Sequence, residues 1–154
     1  MKAELLKILR EAEDYVSGQQ LCDHFGVSRT AVWKVIRQLQ EEGYQIEAVK
    51  NRGYLLKKDA VPDVMTVPEI ISRLHSRWMG RNCIFLETVD STNNYLKRAA
   101  EDGAVNGTLA VAEEQTGGKG RRGRSWETPK GTNIAMTILL RPEIRPEHAS
   151  RLTL

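Results

Sequence analysis

Gly26 stands two residues ahead of Ser28 in the middle of an otherwise helix-patterned stretch, and this pair constrains the amino-terminal third of the chain more than any other feature. A glycine suits a helix carboxyl end, where the next residue must turn left-handed. A serine suits a helix start, where its hydroxyl accepts from unpaired amides of the first turn. The spacing predicts a short helix over Gln19–Phe25, a tight turn, and a second helix opening after Ser28. Upstream, Leu5, Ile8, Leu9 and Ala12 recur at the spacing of one buried helical face, predicting a helix over residues 2–14. Downstream, Val32, Val35, Ile36 and Leu39 fall on one side of the third helix, with Thr30, Trp33, Lys34 and Arg37 on or near the other. Glu41, Glu42 and Gly43 end it. "YQIEAVKNRGYLLKK" then reads as two short runs around an Asn-Arg-Gly turn, a hairpin signal. Three helices followed by a hairpin make a winged helix-turn-helix.

The pattern changes after "KKDAVPDVMTVPE", which reads as a linker. Pro68 is suited to open a helix over Glu69–His75, because the amide it lacks would be unpaired there. "CIFLETV" and "TLAVAEE" read as strands, "NYLKRAAEDG" as a helix ending at Gly103, "DSTN" as its cap, and "TNIAMTILLRP" as a third strand. Strands alternating with helices predict a mixed α/β domain, and an α+β chain overall. The expected division is residues 1–60 for the winged helix, 61–67 for the linker and 68–154 for the second domain. A further helix is expected from about Pro146.

Composition narrows the function classes. The 154 residues are 40% hydrophobic and carry 23 lysines and arginines against 20 acids, a net charge of +3, so any nucleic-acid surface must be local. Cys22 and Cys83 lack zinc or disulfide spacing, and no metal site is expected. His24, His75 and His148 fit no catalytic spacing. The amino terminus has no signal-peptide pattern, and no window approaches the roughly 20 apolar residues of a membrane span. A soluble, cytoplasmic protein with no membrane partner is expected.

A helix-turn-helix sends the outer face of its second helix into the major groove. Here that face offers Thr30, Lys34 and Arg37, with Ser28 and Arg29 at its start. Lys50 and Arg52 in the wing are placed for phosphates, which add salt-dependent affinity but little sequence information. Lys57 is a further wing cation. Trp33 is read as a packing residue and left outside the contact set. The competing reading is a solvated protein-interaction module.

The other conspicuous stretch is "QTGGKGRRGRSW" at residues 115–126, with four glycines and four cations. It fails the Walker A pattern because Gly118-Lys119 is followed by Gly120, and it fails the dinucleotide fingerprint because no helix follows. Glycines nevertheless let successive amides face an anion, and Lys119, Arg121, Arg122 and Arg124 can neutralise it. The expectation is a mobile loop that closes over a phosphate-like or carboxylate-like ligand. A surface tract that binds nucleic acid non-specifically is the alternative.

Together, "DSTNNYLKR" at 90–98 and "QTGGKGRRGRSW" at 115–126, each following a strand and preceded by a winged helix, resemble the biotin protein ligases of the bifunctional kind that also repress the biotin operon. The resemblance implies a class II synthetase-like ligase domain. It implies that Ser91, Thr92, Asn93, Gln115, Lys119, Gly120 and Arg121 bind biotin. Gly118, Arg122, Gly123, Arg124 and Trp126 would complete the loop around the adenylate phosphate, and "GTN" at 131–133 would shape the pocket wall. Lys119 departs from the family's arginine, keeping the charge and losing the two-pronged fork. The implied reaction joins biotin to ATP with Mg²⁺, forming biotinyl-5'-AMP, and then passes biotin to a lysine of the biotin carboxyl carrier domain of acetyl-CoA carboxylase or a related carboxylase. Implied partners are biotin operator DNA and, with ligand bound, a second copy of the chain. The family's Lys-Trp-Pro-Asn-Asp motif does not occur, so the catalytic lysine is expected beyond Leu154 and the chain reads as a truncated piece of a longer protein. Two other readings remain: a regulator that senses biotin or biotinyl-adenylate without ligase activity, and a general nucleic-acid binder.

Overall fold

The computed structural model of the protein describes residues 1–120, 124–145, 147 and 148. The chain forms two compact units, Met1–Leu74 and His75–Leu154. Among the described residues no helix is long and apolar enough to cross a membrane.

The first unit contains α1 (Lys2–Glu11), α2 (Gly18–Phe25), α3 (Arg29–Glu41), β1 (Ile46–Val49), β2 (Gly53–Leu56) and α4 (Val67–Arg73). The punctuation expected between the second and third helices is present. Gly26 ends α2 in the left-handed conformation at φ 63°, and the Ser28 hydroxyl accepts from Ala31 N. Leu5, Leu6, Leu9, Leu21, Val32, Ile36, Leu39, Tyr44 and Leu56 are almost fully buried in one cluster. The first helix is shorter than its periodicity predicts. Val16 is drawn off to pair with the wing, exchanging both backbone hydrogen bonds with Tyr54 at 2.9 Å. That pairing requires Gly53, because a Cβ there would stand 2.0 Å from the Val16 carbonyl oxygen.

The boundary between units lies at Leu74/His75, later than the expected one at residues 67/68. The reason is a buried carboxylate. Glu69 on α4 is 7% exposed and accepts from Arg10 Nη2 at 2.8 Å on α1 and from the Tyr44 hydroxyl at 2.7 Å. Arg73 also donates to it, and Arg10 Nη1 donates to Ser72 Oγ at 2.6 Å. Composition marks residues 61–67 as a linker, but charge pairing returns the helix after it to α1.

The second unit contains β3 (Cys83–Val89), α5 (Thr92–Glu101), β4 (Leu109–Lys119), β5 (Ser125–Thr128) and β6 (Ala135–Ile138). β3 runs parallel to β4, and β5 and β6 are antiparallel to it. The edge of β4 away from β3 is shared, with β6 along Leu109–Ala112 and β5 along Gln115–Lys119. The mixed sheet agrees with the expected α+β class. β4 is longer and β6 shorter than their sequence patterns, and β5 was not expected. The helix expected from Pro146 falls outside the described residues except at Glu147 and His148.

Glu69 yields a prediction. Burial raises its pKa, but the hydrogen bonds from Arg10, Tyr44 and Arg73 outweigh burial and hold it below 4.5. A depressed folded pKa means the stabilisation is complete above the unfolded value and is lost as pH falls through the folded one. Glu69→Ala should cost about 3 kcal/mol by leaving Arg10 without its counter-charge. Thermal unfolding between pH 7 and pH 3 should show a smaller acid-dependent drop for the variant than for the parent chain.

Candidate functional site

The outer row of α3 is open to solvent. Thr30, Trp33, Lys34 and Arg37 are all exposed, opposite the buried row Val32, Val35, Ile36 and Leu39. Ser28 belongs to this region as a helix cap. Arg29 Nη2 donates to Gln19 Oε1 at 3.0 Å on α2. Arg37 lies over the Trp33 ring, its guanidinium carbon 5.4 Å from the centroid, and stands 3.9 Å from Glu41. In the wing Lys50 is exposed, whereas Arg52 is held at 3.2 Å from Asp14 and over the Tyr15 ring. Lys57 pairs with Glu47 at 2.9 Å. A cleft of about 410 Å³ separates the wing from the amino-terminal ends of α2 and α3, lined by Arg29, Lys50 and Arg52 among others. Exposed ion pairs are weak, worth roughly 0–1 kcal/mol, so these arginines can exchange their carboxylates for phosphate. Trp33, read from the sequence as a packing residue, is half exposed.

The second site is built by register. Parallel pairing sets Val89 at the end of β3 beside Gln115 in β4, so the "DSTN" turn and the start of "QTGG" leave the sheet together. Three hydrogen bonds clamp them. Gly117 N donates to the Asp90 carbonyl at 2.7 Å, and Gln115 Oε1 accepts from Thr92 N at 2.8 Å and from Thr92 Oγ1 at 3.0 Å. The expected cap residue, Ser91, makes no side-chain capping bond; the Gln115 carboxamide takes that role for the first amide of α5. Asp90 is held far below the usual carboxylate range by the Arg98 guanidinium, then by Asn94 and the Ser91 amide.

These contacts frame a cleft of about 250 Å³, just below the roughly 300–1,000 Å³ seen for small-molecule sites. Ser91, Thr92, Asn93, Gln115, Gly118, Lys119 and Trp126 all line it. Sequence reasoning missed Thr128, Ile134, Ala135, Met136 and Thr137, while Asn133 belongs to the "GTN" wall it anticipated. The missed signal was strand alternation: in β6 Ala135 and Thr137 share a face, and a threonine on a strand's inner face is polar where apolar is usual. The Thr137 hydroxyl stands 2.9 Å from Thr92 Oγ1 and 2.7 Å from Asn93 Oδ1. One hydrogen serves both, leaving acceptor capacity for a ligand N–H. The Gln115 amide nitrogen has no hydrogen-bond partner among the described residues, so the same wall also offers a donor. Trp126, Ile134 and Met136 are exposed at its rim.

The glycine-cation stretch is not a loop along its whole length. β4 continues through Lys119 and β5 begins at Ser125, so both arms form a hairpin with a bulge between Gln115 and Gly118. Backbone pairing with Trp126 and Ser125 extends the strand past the point where glycines signal its end. Gly120 N donates to the Arg124 carbonyl at 2.7 Å. Lys119 and Arg124 are exposed; Arg121, Arg122 and Gly123 lie outside the described residues. No cluster of three His, Cys, Asp or Glu suited to a metal occurs among the described residues.

Comparison with known proteins matches residues 2–55 to a helix-turn-helix (HTH) domain and residues 85–154 to the biotin/lipoate A/B protein ligase family. The bifunctional ligase/repressor BirA of Bacillus spizizenii is 38% identical over 155 residues, which cover 100% of this chain and 47% of that protein. The protein of the same name from Escherichia coli K12 is 34% identical over 152 residues, 98% of this chain and 44% of its own length. A structure of biotin protein ligase from Leishmania major in complex with biotin is 38% identical over 47% of this chain and 29% of that one, with a TM-score of 0.37. The chain spans about half the length of the curated relatives it matches.

The hairpin tolerates no side chain at Gly118. A Cβ there would stand 2.4 Å from the Trp126 carbonyl oxygen, a backbone atom that cannot swing away. Gly118→Ala should cost about 1–3 kcal/mol by forcing β4 and β5 apart. Lys119→Ala, at an exposed position, should leave the thermal midpoint unchanged, and equal midpoints for both variants would contradict the register described.

Proposed function

We propose that this chain, a helix-turn-helix domain followed by a segment of the biotin/lipoate A/B protein ligase family, is the operator-binding and biotin-binding part of a bifunctional biotin ligase and repressor. The observation that carries the reading is the cleft at the β3/β4 end. It presents acceptors at Thr92, Asn93 and Thr137 and a donor at Gln115, all on side chains fixed by mutual hydrogen bonds. A cyclic urea is donor and acceptor side by side and fits such a wall, whereas a plain anion would meet its unsatisfied acceptors.

In this reading Ser91, Thr92, Asn93 and Gln115 hold the biotin head, and Trp126, Ile134 and Met136 cover its apolar body. The biotin carboxylate attacks the α-phosphate of ATP, releasing pyrophosphate and forming biotinyl-5'-AMP. A lysine amine of the carrier domain then takes the biotinyl group and AMP leaves. Lys119, Gly120 and Arg124, with Arg121, Arg122 and Gly123, would surround the phosphate and stabilise charge developing on it. Lys119 does so as a point charge, without the fork of an arginine. Mg²⁺ would arrive with the ATP phosphates. Operator DNA is the partner of α3 and the wing, two ligand-bound copies meet two half-sites, and the protein works in the cytoplasm.

Calorimetry tests the head-binding step directly. Biotin should release heat on mixing with the chain, and Gln115→Ala should weaken affinity about tenfold, the worth of one hydrogen bond to a buried polar group. Lys34→Ala should bind biotin as the parent does. Biotin-dependent pyrophosphate release by the full-length protein then separates a ligase from a sensor that only binds. Absence of heat with biotin, at protein concentrations where a folded chain is verified, would overturn the reading.

A further inference from the structure

Trp33 lies in the row Thr30, Trp33, Lys34, Arg37 along the outer face of α3, and every member of that row is exposed. Half of its surface is open to solvent, whereas Val32, Val35, Ile36 and Leu39 on the opposite face are buried. Arg37 stacks over its ring, an arrangement that fixes the indole's orientation on the helix. Around it stand Arg29, Lys34 and Arg37 of α3, a cationic surround that suits a polyanion, and duplex DNA is one. Within such an interface the cations and Thr30 can reach phosphates and polar base edges. Trp33 offers chiefly apolar surface. On the major-groove edges of the base pairs the distinctive apolar group is the thymine C5-methyl.

We infer that Trp33 is a specificity-determining residue that reads a thymine methyl group in the major groove. The inference rests on the DNA-binding role proposed above for α3. Arg37 is then a positioning residue for the indole as well as a contact of its own.

The whole chain, as the parent and as Trp33→Ala and Trp33→Phe, is used to enrich binding sites from a random duplex pool. The parent's best site is then resynthesised with deoxyuridine replacing each thymine in turn. Trp33→Ala should lose the preference for thymine at one position in the motif and keep the rest, while Trp33→Phe retains it. Deoxyuridine at that position should weaken the parent about fourfold, the worth of one buried methyl group, and leave Trp33→Ala unaffected. The deoxyuridine arm on the parent needs no variant to fold. An unchanged motif from Trp33→Ala, or equal affinity for every deoxyuridine duplex, would overturn the inference while leaving the DNA-binding role intact. A parent chain that enriches no motif would remove both together.

Discussion

The parallel register of β3 and β4 is the constraint on which the second unit depends. Parallel strands deliver their carboxyl ends to the same edge of a sheet, where ligands of such sheets gather. Here Val89 opposite Gln115 sets the turn at Asp90–Asn93 against the start of the glycine stretch. The Gln115 side chain and the Gly117 amide then hold that turn at two points. A slip of one residue would invert every side chain of β4 and send Gln115 to the opposite face. The cleft would then lose the side chain that organises Thr92.

Close backbone approach is the second theme, and it is concentrated at a few glycines. Gly118 lets β5 come up against β4 beside the cleft, and Gly53 lets Val16 pair with the wing. At both positions the obstacle to a side chain is backbone, which has nowhere to move. The four glycines between Gln115 and Trp126 are therefore not equivalent. Gly118 is required by the hairpin itself, while Gly120 closes a backbone hydrogen bond to Arg124.

The two units divide two kinds of recognition. The outer face of α3 and the wing expose cations on both sides of a cleft, suited to a polyanion. The β3/β4 cleft is small and lined mainly by neutral donors and acceptors, with its cations confined to the adjoining hairpin. α4 has no part in either surface, and its buried Glu69 ties it to α1 as an element of the amino-terminal unit.

Much of the first unit was legible from residue order. Gly26, Ser28 and the apolar row from Val32 to Leu39 act through local geometry, and local geometry is what a sequence encodes directly. The strand at Cys83–Val89 and the helix after "DSTN" were readable for the same reason. Tertiary structure decided what depends on distant partners. Val16 pairs with Tyr54 of the wing, 38 residues on, and α4 joins the first unit because Arg10 and Tyr44, far from Glu69 in sequence, lie close to it in space. The exposure of Trp33 on the outer row of α3 became visible only in the folded unit. Thr137 entered the cleft through β6 pairing with β4. Residue order determines which side chains each element presents, and the pairing of elements determines which of them meet, because hydrogen-bond register and burial are properties of two segments and not of one.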